Sequence, residues 1–244
     1  DCKLIREEFE AFTEGLRLNL NPDISHDDAV QMLSQHLITQ PVFDALFEGY
    51  AFSDSNPVSK VMNAMVSVLD GENLENETTR LESFYESVRT RAAGIDDAGA
   101  KQTIVKDLYE KFFSTAFSKT SEKLGIVYTP NEIVDFIIHS VNDILKDEFD
   151  TSISDEGVHV LDPFTGTGTF IVRLLQSGLI KPSDLARKYR YELHANEIVL
   201  LAYYVAAINI EETYHALQGG NYVPFDGIVL TDTFQMFEDD DELD

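Results

Sequence analysis

The sequence predicts an α/β fold: a parallel sheet wound with helices on both faces, preceded by an all-α region. From about residue 119 onward, short apolar runs alternate with helix-length amphipathic stretches, the pattern of a parallel sheet. One of those runs ends in a glycine-bearing turn that leads straight into a helix. Before residue 119, apolar residues recur at helical spacing, with no strand pattern and few glycines. The expected organisation is therefore a helical region over 1–118 and an α/β region over 119–244.

In the helical region Leu4, Ile5, Phe9, Phe12 and Leu16 form a first stripe. Ser25 is placed to cap a helix carrying Ala29, Val30, Met32, Leu33 and Leu37. Pro41 is placed to open another through Val42, Phe43, Leu46 and Phe47. A helix through Val58, Val61, Met62, Met65 and Leu69 ends near Gly71, and a longer one follows through Leu81, Phe84, Tyr85 and Val88. The stretch 104–117 adds Tyr109, Phe112, Phe113 and Phe117. The simplest reading of these stripes is core packing, since each presents one apolar face.

The α/β region opens with Gly125-Ile126-Val127-Tyr128-Thr129-Pro130-Asn131-Glu132. Thr129 before Pro130, with Glu132 three positions on, is a capping-box pattern for a helix carrying Ile133, Val134, Ile137, Ile138, Val141, Ile144 and Leu145. Strands are expected at Val158 to Leu161, Tyr191 to Asn196 and Gly227 to Leu230. Between them lie a helix with Phe170, Ile171, Leu174 and Leu175, and another from about Ile198 to Ala216.

Composition narrows the functional classes. A hydrophobic content of 43% and an aromatic content of 11% suit a packed chain and exclude a disordered one. No run of eighteen apolar residues and no leader pattern is present, so neither a membrane nor a secreted reading has support. The single cysteine, Cys2, has no partner for a disulfide, and the cytosol is the expected compartment. Six histidines show no close ligand spacing, so no metal site is expected. With 18 Lys+Arg against 44 Asp+Glu, the net charge is −26, which repels a phosphate backbone. Any DNA-gripping surface is expected outside these residues. The terminal run 238–242 reads as a solvated acidic end.

The strongest chemical signal is Leu161-Asp162-Pro163-Phe164-Thr165-Gly166-Thr167-Gly168-Thr169-Phe170, at a strand-to-helix junction. Such junctions at the carboxyl ends of parallel strands are where open α/β sheets bind ligands. Gly166 and Gly168 let the backbone turn tightly, and the helix start offers amide donors to an anion. Asp162 supplies the opposite charge for an ammonium. A ligand bearing both a carboxylate and an amine fits better than a pyrophosphate. The third glycine of the dinucleotide fingerprint is replaced by Ile171, and no Gly-Lys-Ser/Thr follows. Glu197 ends the second strand and can accept ribose hydroxyls, while Asp232 follows the third and can accept an adenine amine. Phe164 or Phe234 can lie against the base.

In this order the pieces resemble the S-adenosylmethionine-dependent DNA adenine methyltransferases whose cofactor half precedes the catalytic motif. Asp162 to Gly168 is similar to their glycine motif, and Gly125 to Pro130 to the segment that closes over the methionine end. The resemblance implies a partial Rossmann-like methyltransferase sheet and a cofactor site drawn from Tyr128, Thr129, Pro130, Asp162, Phe164, Thr165, Gly166, Gly168, Thr169, Phe170, Glu197, Asp232 and Phe234. Phrases such as Gln35 to Phe43 and His194 to Ile198 look closest to type I-like single-polypeptide restriction-modification enzymes. There a helical coupler joins a nuclease and helicase-type motor to the methyltransferase. The resemblance thus implies double-stranded DNA as partner, through regions outside this chain, and a bacterial cytoplasm.

One family feature is missing. The (Asn/Asp/Ser)-Pro-Pro-aromatic motif that holds the target amine appears nowhere, since no Pro-Pro occurs. Asn21-Pro22 and Asn56-Pro57 lack the second proline and the aromatic. The chain therefore reads as a fragment, expected to bind cofactor without catalysing, with the motif beyond Asp244. The alternatives are a methyltransferase acting on another substrate, a dehydrogenase, and a non-catalytic coupler module with a degenerate nucleotide site.

Overall fold

The computed structural model of the protein describes residues 2–46, 55–69, 86, 90 and 129–234. The helix expected through Leu81 to Val88, apart from Glu86, and that over 104–117 lie outside the described residues, as do the boundary at 118/119, Tyr128 and the acidic terminal run.

The helical region contributes α1 (Cys2–Asn19), α2 (His26–Leu46) and α3 (Pro57–Leu69). Leu16 of α1, Ala29 and Leu33 of α2, and Met62 and Met65 of α3 join one buried cluster. Ser25 caps α2 as expected. Its hydroxyl accepts from the Asp28 amide (3.2 Å) while its own amide donates to Asp28 Oδ2 (3.0 Å), closing a reciprocal box. Asn56 caps α3 through the Ser59 amide (3.0 Å), with Pro57 in the first helical position, where its missing N–H costs nothing. Pro41 departs from expectation: it lies inside α2 and does not start a new helix. An interior proline costs roughly 3 kcal/mol in lost bonding and ring clash. The buried face of α2, with Ala29, Leu33 and His36, offsets that loss and carries the helix through.

The α/β region begins with α4 (Asn131–Phe149). Pro130, not Thr129, occupies the N-cap position, and no side chain caps the helix. The Pro130 carbonyl instead takes the Ile133 and Val134 amides at 3.0 and 3.1 Å. The expected capping box is thus replaced by backbone bonds, because the helix starts one residue later than the spacing suggested. Then follow β1 (Val160–Asp162), α5 (Thr169–Gln176), a helical turn Leu185–Arg187 continued by a π-helical turn Lys188–Glu192, β2 (Leu193–Glu197), α6 (Leu200–Gln218) and β3 (Ile228–Leu230). The sheet is parallel, in the order β1-β2-β3. Asp162 pairs in register with Ala195, and Glu197 with Leu230. The acidic residues at these strand ends are therefore brought to one edge.

Helix α6 organises the molecule. Every residue from Leu200 to Tyr214 is buried, as suits a helix without a polar face. On one side it meets α2, where Tyr204 Oη lies 3.0 Å from His36 Nδ1, and Asn56 Nδ2 donates to Tyr203 Oη at 3.0 Å. On the other it packs on α5 and the sheet. Its buried Glu211 is satisfied by the Tyr222 hydroxyl (2.8 Å) and the Phe225 amide (3.0 Å), and burial raises its carboxyl to about 7.

Candidate functional site at the strand ends

The loop after β1 is built by local bonds. Thr165 Oγ1 donates to the Asp162 carbonyl (2.9 Å), and the Gly168 amide donates to the Thr165 carbonyl (3.0 Å). The Thr165 amide reaches across to the Asn196 carbonyl at the end of β2 (3.0 Å). Gly166 and Gly168 both take positive φ, +58° and +86°. Their reasons differ. A Cβ at Gly166 would meet nothing within 4 Å among the described residues, so the backbone conformation is what that position needs from glycine. A Cβ at Gly168 would lie 3.2 Å from the Ala206 backbone, so that position also lets α6 approach the turn. Asn209 Nδ2 fastens the same contact by donating to the Thr167 carbonyl at 3.0 Å.

Asp162, Glu197 and Asp232 stand at three successive strand ends. Asp162 Oδ1 accepts weakly from the Phe164 amide (3.3 Å), while Oδ2 is buried with no hydrogen-bond partner among the described residues. Burial raises its carboxyl above the ordinary range, partly opposed by that amide. Glu197 is 8% exposed and folds under the glycine turn. Its Oε2 accepts from the Gly166 amide and its Oε1 from the Val199 amide, each at 2.7 Å. Burial also raises its carboxyl, the backbone donors pull it back, and nearby Asp162 pushes it up again. Two oxygens carry about four lone-pair sites, so Glu197 retains acceptor capacity beyond these bonds. Asp232 accepts from the Phe234 amide on Oδ1 (3.0 Å) and from Asn21 Nδ2 on Oδ2 (2.9 Å).

A cavity of about 440 Å³ opens between these ends, lined among others by Phe164, Gly166, Glu197, Ile198, Asp232 and Phe234. The Phe164 and Phe234 rings lie 5.2 Å apart, tilted by 32°, and both are exposed. Thr233 joins the rims, its hydroxyl donating to the Pro163 carbonyl at 2.7 Å. Asp162 borders a separate apolar groove of about 480 Å³ beside α4 and β1, to which Phe170 also contributes. Thr165 and Gly168 are buried in the turn, and Thr169 opens α5. Thr129 and Pro130 are exposed at the start of α4, which an Arg173 to Asp135 pair (Nε to Oδ1, 2.7 Å) ties to α5.

Pro163, Asn196, Ile198, Val199, Thr231 and Thr233 also line the cavity and are not among the residues expected from sequence. Ile198 presents an apolar surface to the cavity directly after Glu197, and its signal was an apolar residue between a strand-end acid and a helix. Asn21, which has neither the second proline nor the aromatic of the target-amine motif after it, lies against Asp232 from the helical region. No local signal reveals that contact.

Comparisons with known proteins meet this architecture. The family model for the coupler domain of Type ISP restriction-modification enzymes matches residues 2–100, and that for N-6 DNA methylase matches residues 100–242. The chain belongs to the N-6 DNA methylase family, with a Type ISP coupler ahead of its methylase region. Among solved structures it is similar to a nuclease-deletion mutant of the Type ISP enzyme LlaGI in complex with a DNA substrate mimic (52% identity, TM-score 0.87). It is similar also to the ATP-dependent Type ISP enzyme LlaBIII bound to DNA (54%, 0.88) and to a DrdV–DNA complex (37%, 0.86). These matches cover 98%, 98% and 94% of this chain but only 20%, 16% and 22% of the respective relatives. Among curated proteins, nothing matches it. Among the described residues no helix is long and apolar enough to cross a membrane.

Proposed function

We propose that the chain is the S-adenosylmethionine-binding part of a DNA adenine methyltransferase, residues 1–118 serving as coupler and 119–244 as cofactor region. The observation that carries the reading is Asp162 Oδ2, a buried carboxylate oxygen at the foot of a glycine turn that no described residue meets. Such an oxygen is costly unless a donor or cation meets it. The methionine ammonium of the cofactor is such a cation.

Asp162 pairs with that ammonium, and the amides at the start of α5 receive the carboxylate. Tyr128, Thr129 and Pro130 close over the methionine end, while Thr165, Gly166, Gly168, Thr169 and Phe170 shape the turn and the helix beyond it. Glu197 accepts the ribose hydroxyls and Asp232 the adenine amine, with Phe164, Phe234 and Ile198 as apolar neighbours of the base. The cofactor supplies a methyl group already activated by its sulfonium, so the residues here bind and orient, and none acts as a general base. No Pro-Pro-aromatic motif lies within the 244 residues. The target adenine is therefore held elsewhere in the polypeptide, and this chain alone binds cofactor without methylating. A net charge of −26 likewise leaves the grip on double-stranded DNA to other regions of a Type ISP-like enzyme, with motor and nuclease, in the bacterial cytoplasm.

Calorimetric titration with S-adenosylmethionine tests this. One-to-one binding is expected, weakened by about tenfold or more in Asp162→Asn, which loses a charge-assisted contact. Gly166→Asp, which puts a carboxylate at the turn, is expected to abolish it. A folded chain that takes up no cofactor would overturn the reading, and methyl transfer by the chain alone would overturn its second half.

A further inference from the structure

The contact between Asn21 and Asp232 joins positions 211 residues apart in sequence. Asn21 sits in the turn between α1 and α2. Its Oδ1 accepts from the Asp23 amide (2.8 Å), which fixes the side chain in an Asx turn and directs its amide outward. Nδ2 then donates to Asp232 Oδ2, and the Asp232 amide donates to the Leu20 carbonyl (3.3 Å). Both backbone and side chain of Asp232 are thus bound to one turn of the coupler. A second cavity, of about 410 Å³, lies between the coupler and the α/β region, and it shares Ile198, Val199 and Asp232 with the strand-end cavity. Asp232 stands at the junction of the two.

We infer that Asn21 is a positioning residue for the adenine end of the cofactor site, so that docking of the coupler turn sets how well the base is read. The inference rests on the reading of Asp232 as acceptor of the adenine amine. Free carboxylates rotate. One held by Asn21 and by the Phe234 amide is oriented before the ligand arrives, and its remaining lone pairs face a fixed direction. Separating the coupler turn from β3 removes the hold on Asp232 and with it part of the cofactor affinity. Coupler position and cofactor occupancy are then linked, each favouring the other by the same factor.

The test titrates the 244-residue chain with S-adenosylmethionine and with its hypoxanthine analogue, in which an oxo group replaces the adenine amine. Asn21→Asp keeps the acceptor that closes the Asx turn but replaces the donor with a second carboxylate beside Asp232. Its expected effect is about tenfold weaker binding of S-adenosylmethionine, with loss of most of the preference for the amine over the oxo form. Asn21→Ala removes the donor without the repulsion and is expected to lose about threefold, again mainly on the amine form. Circular dichroism confirms that each variant is folded, and the alanine variant carries the test if the aspartate variant is not. Undiminished affinity and preference in a folded variant would overturn the inference, as would equal weakening of both ligands, which marks a merely structural role. Asp232→Ala separates the two levels. Loss of preference there, with none in the Asn21 variants, overturns the role of Asn21 alone. Retained preference in Asp232→Ala, or no cofactor binding by the parent chain, overturns the reading of Asp232 beneath it.

Discussion

The two sides of α6 are held by different physics. Toward the glycine turn the contact is close: a Gly168 Cβ would lie 3.2 Å from the Ala206 backbone and 3.3 Å from Ile210 Cγ1, and the Asn209 side chain bonds the Thr167 carbonyl. Toward the coupler the contact is made by paired polar side chains, His36 with Tyr204 and Asn56 with Tyr203. The first kind of interface takes added volume only by shifting Ala206 and Ile210 by a few tenths of an ångström. The second loses one bond at a time. The difference separates a tightly packed contact beside the glycine turn from one made by side-chain hydrogen bonds toward the coupler.

The largest effect that tests this contrast is at Gly168. Gly168→Ala combines positive φ with a Cβ 3.2 Å from the Ala206 backbone, and is expected to cost about 2 to 4 kcal/mol in urea unfolding. Gly166→Ala, with positive φ but open space, is expected to cost about 1 to 2 kcal/mol. Equal losses at the two glycines would show that packing on α6 contributes nothing. On the coupler side Tyr204→Phe removes the hydroxyl that meets His36 Nδ1 and is expected to cost about 1 kcal/mol, with no change in cofactor affinity.

The smallest effect has the opposite sign. Burial raises the Asp162 carboxyl, so its ionisation opposes folding, and its contribution to stability is full below the unfolded value and lost as pH rises through the folded one. Asp162→Asn is therefore expected to raise the denaturation midpoint of the ligand-free chain at neutral pH. The gain should vanish on acidification, when Asp162 is itself neutral. A variant less stable than the parent at neutral pH would mean that the carboxylate is compensated. The same substitution weakens cofactor binding under the proposal above, so stability and affinity should move in opposite directions, as at a site kept for function.

Much of the α/β region was legible in advance. The strands lie within two residues of their expected starts, and α5 and α6 fall where apolar runs place them. The glycine turn, with Asp162 and Glu197, stands where motif and strand end coincide. The errors were local competitions settled by context. Thr129 lost the cap to Pro130, and Pro41 lies inside α2 instead of opening a helix of its own. Gly168 was read as serving the ligand, yet its nearest neighbours belong to α6.

By itself, the sequence determined the order of elements, the parallel sheet and the acidic residue at each strand end, because periodicity and turn chemistry act over a few residues. Tertiary structure alone decided that Asp162 Oδ2 has no partner among the described residues, that Glu197 bonds the Gly166 amide, and that Asn21 reaches Asp232. Those are contacts, or missing contacts, between segments distant along the chain. Their energies depend on where the packed core brings the segments, and no local pattern records that position.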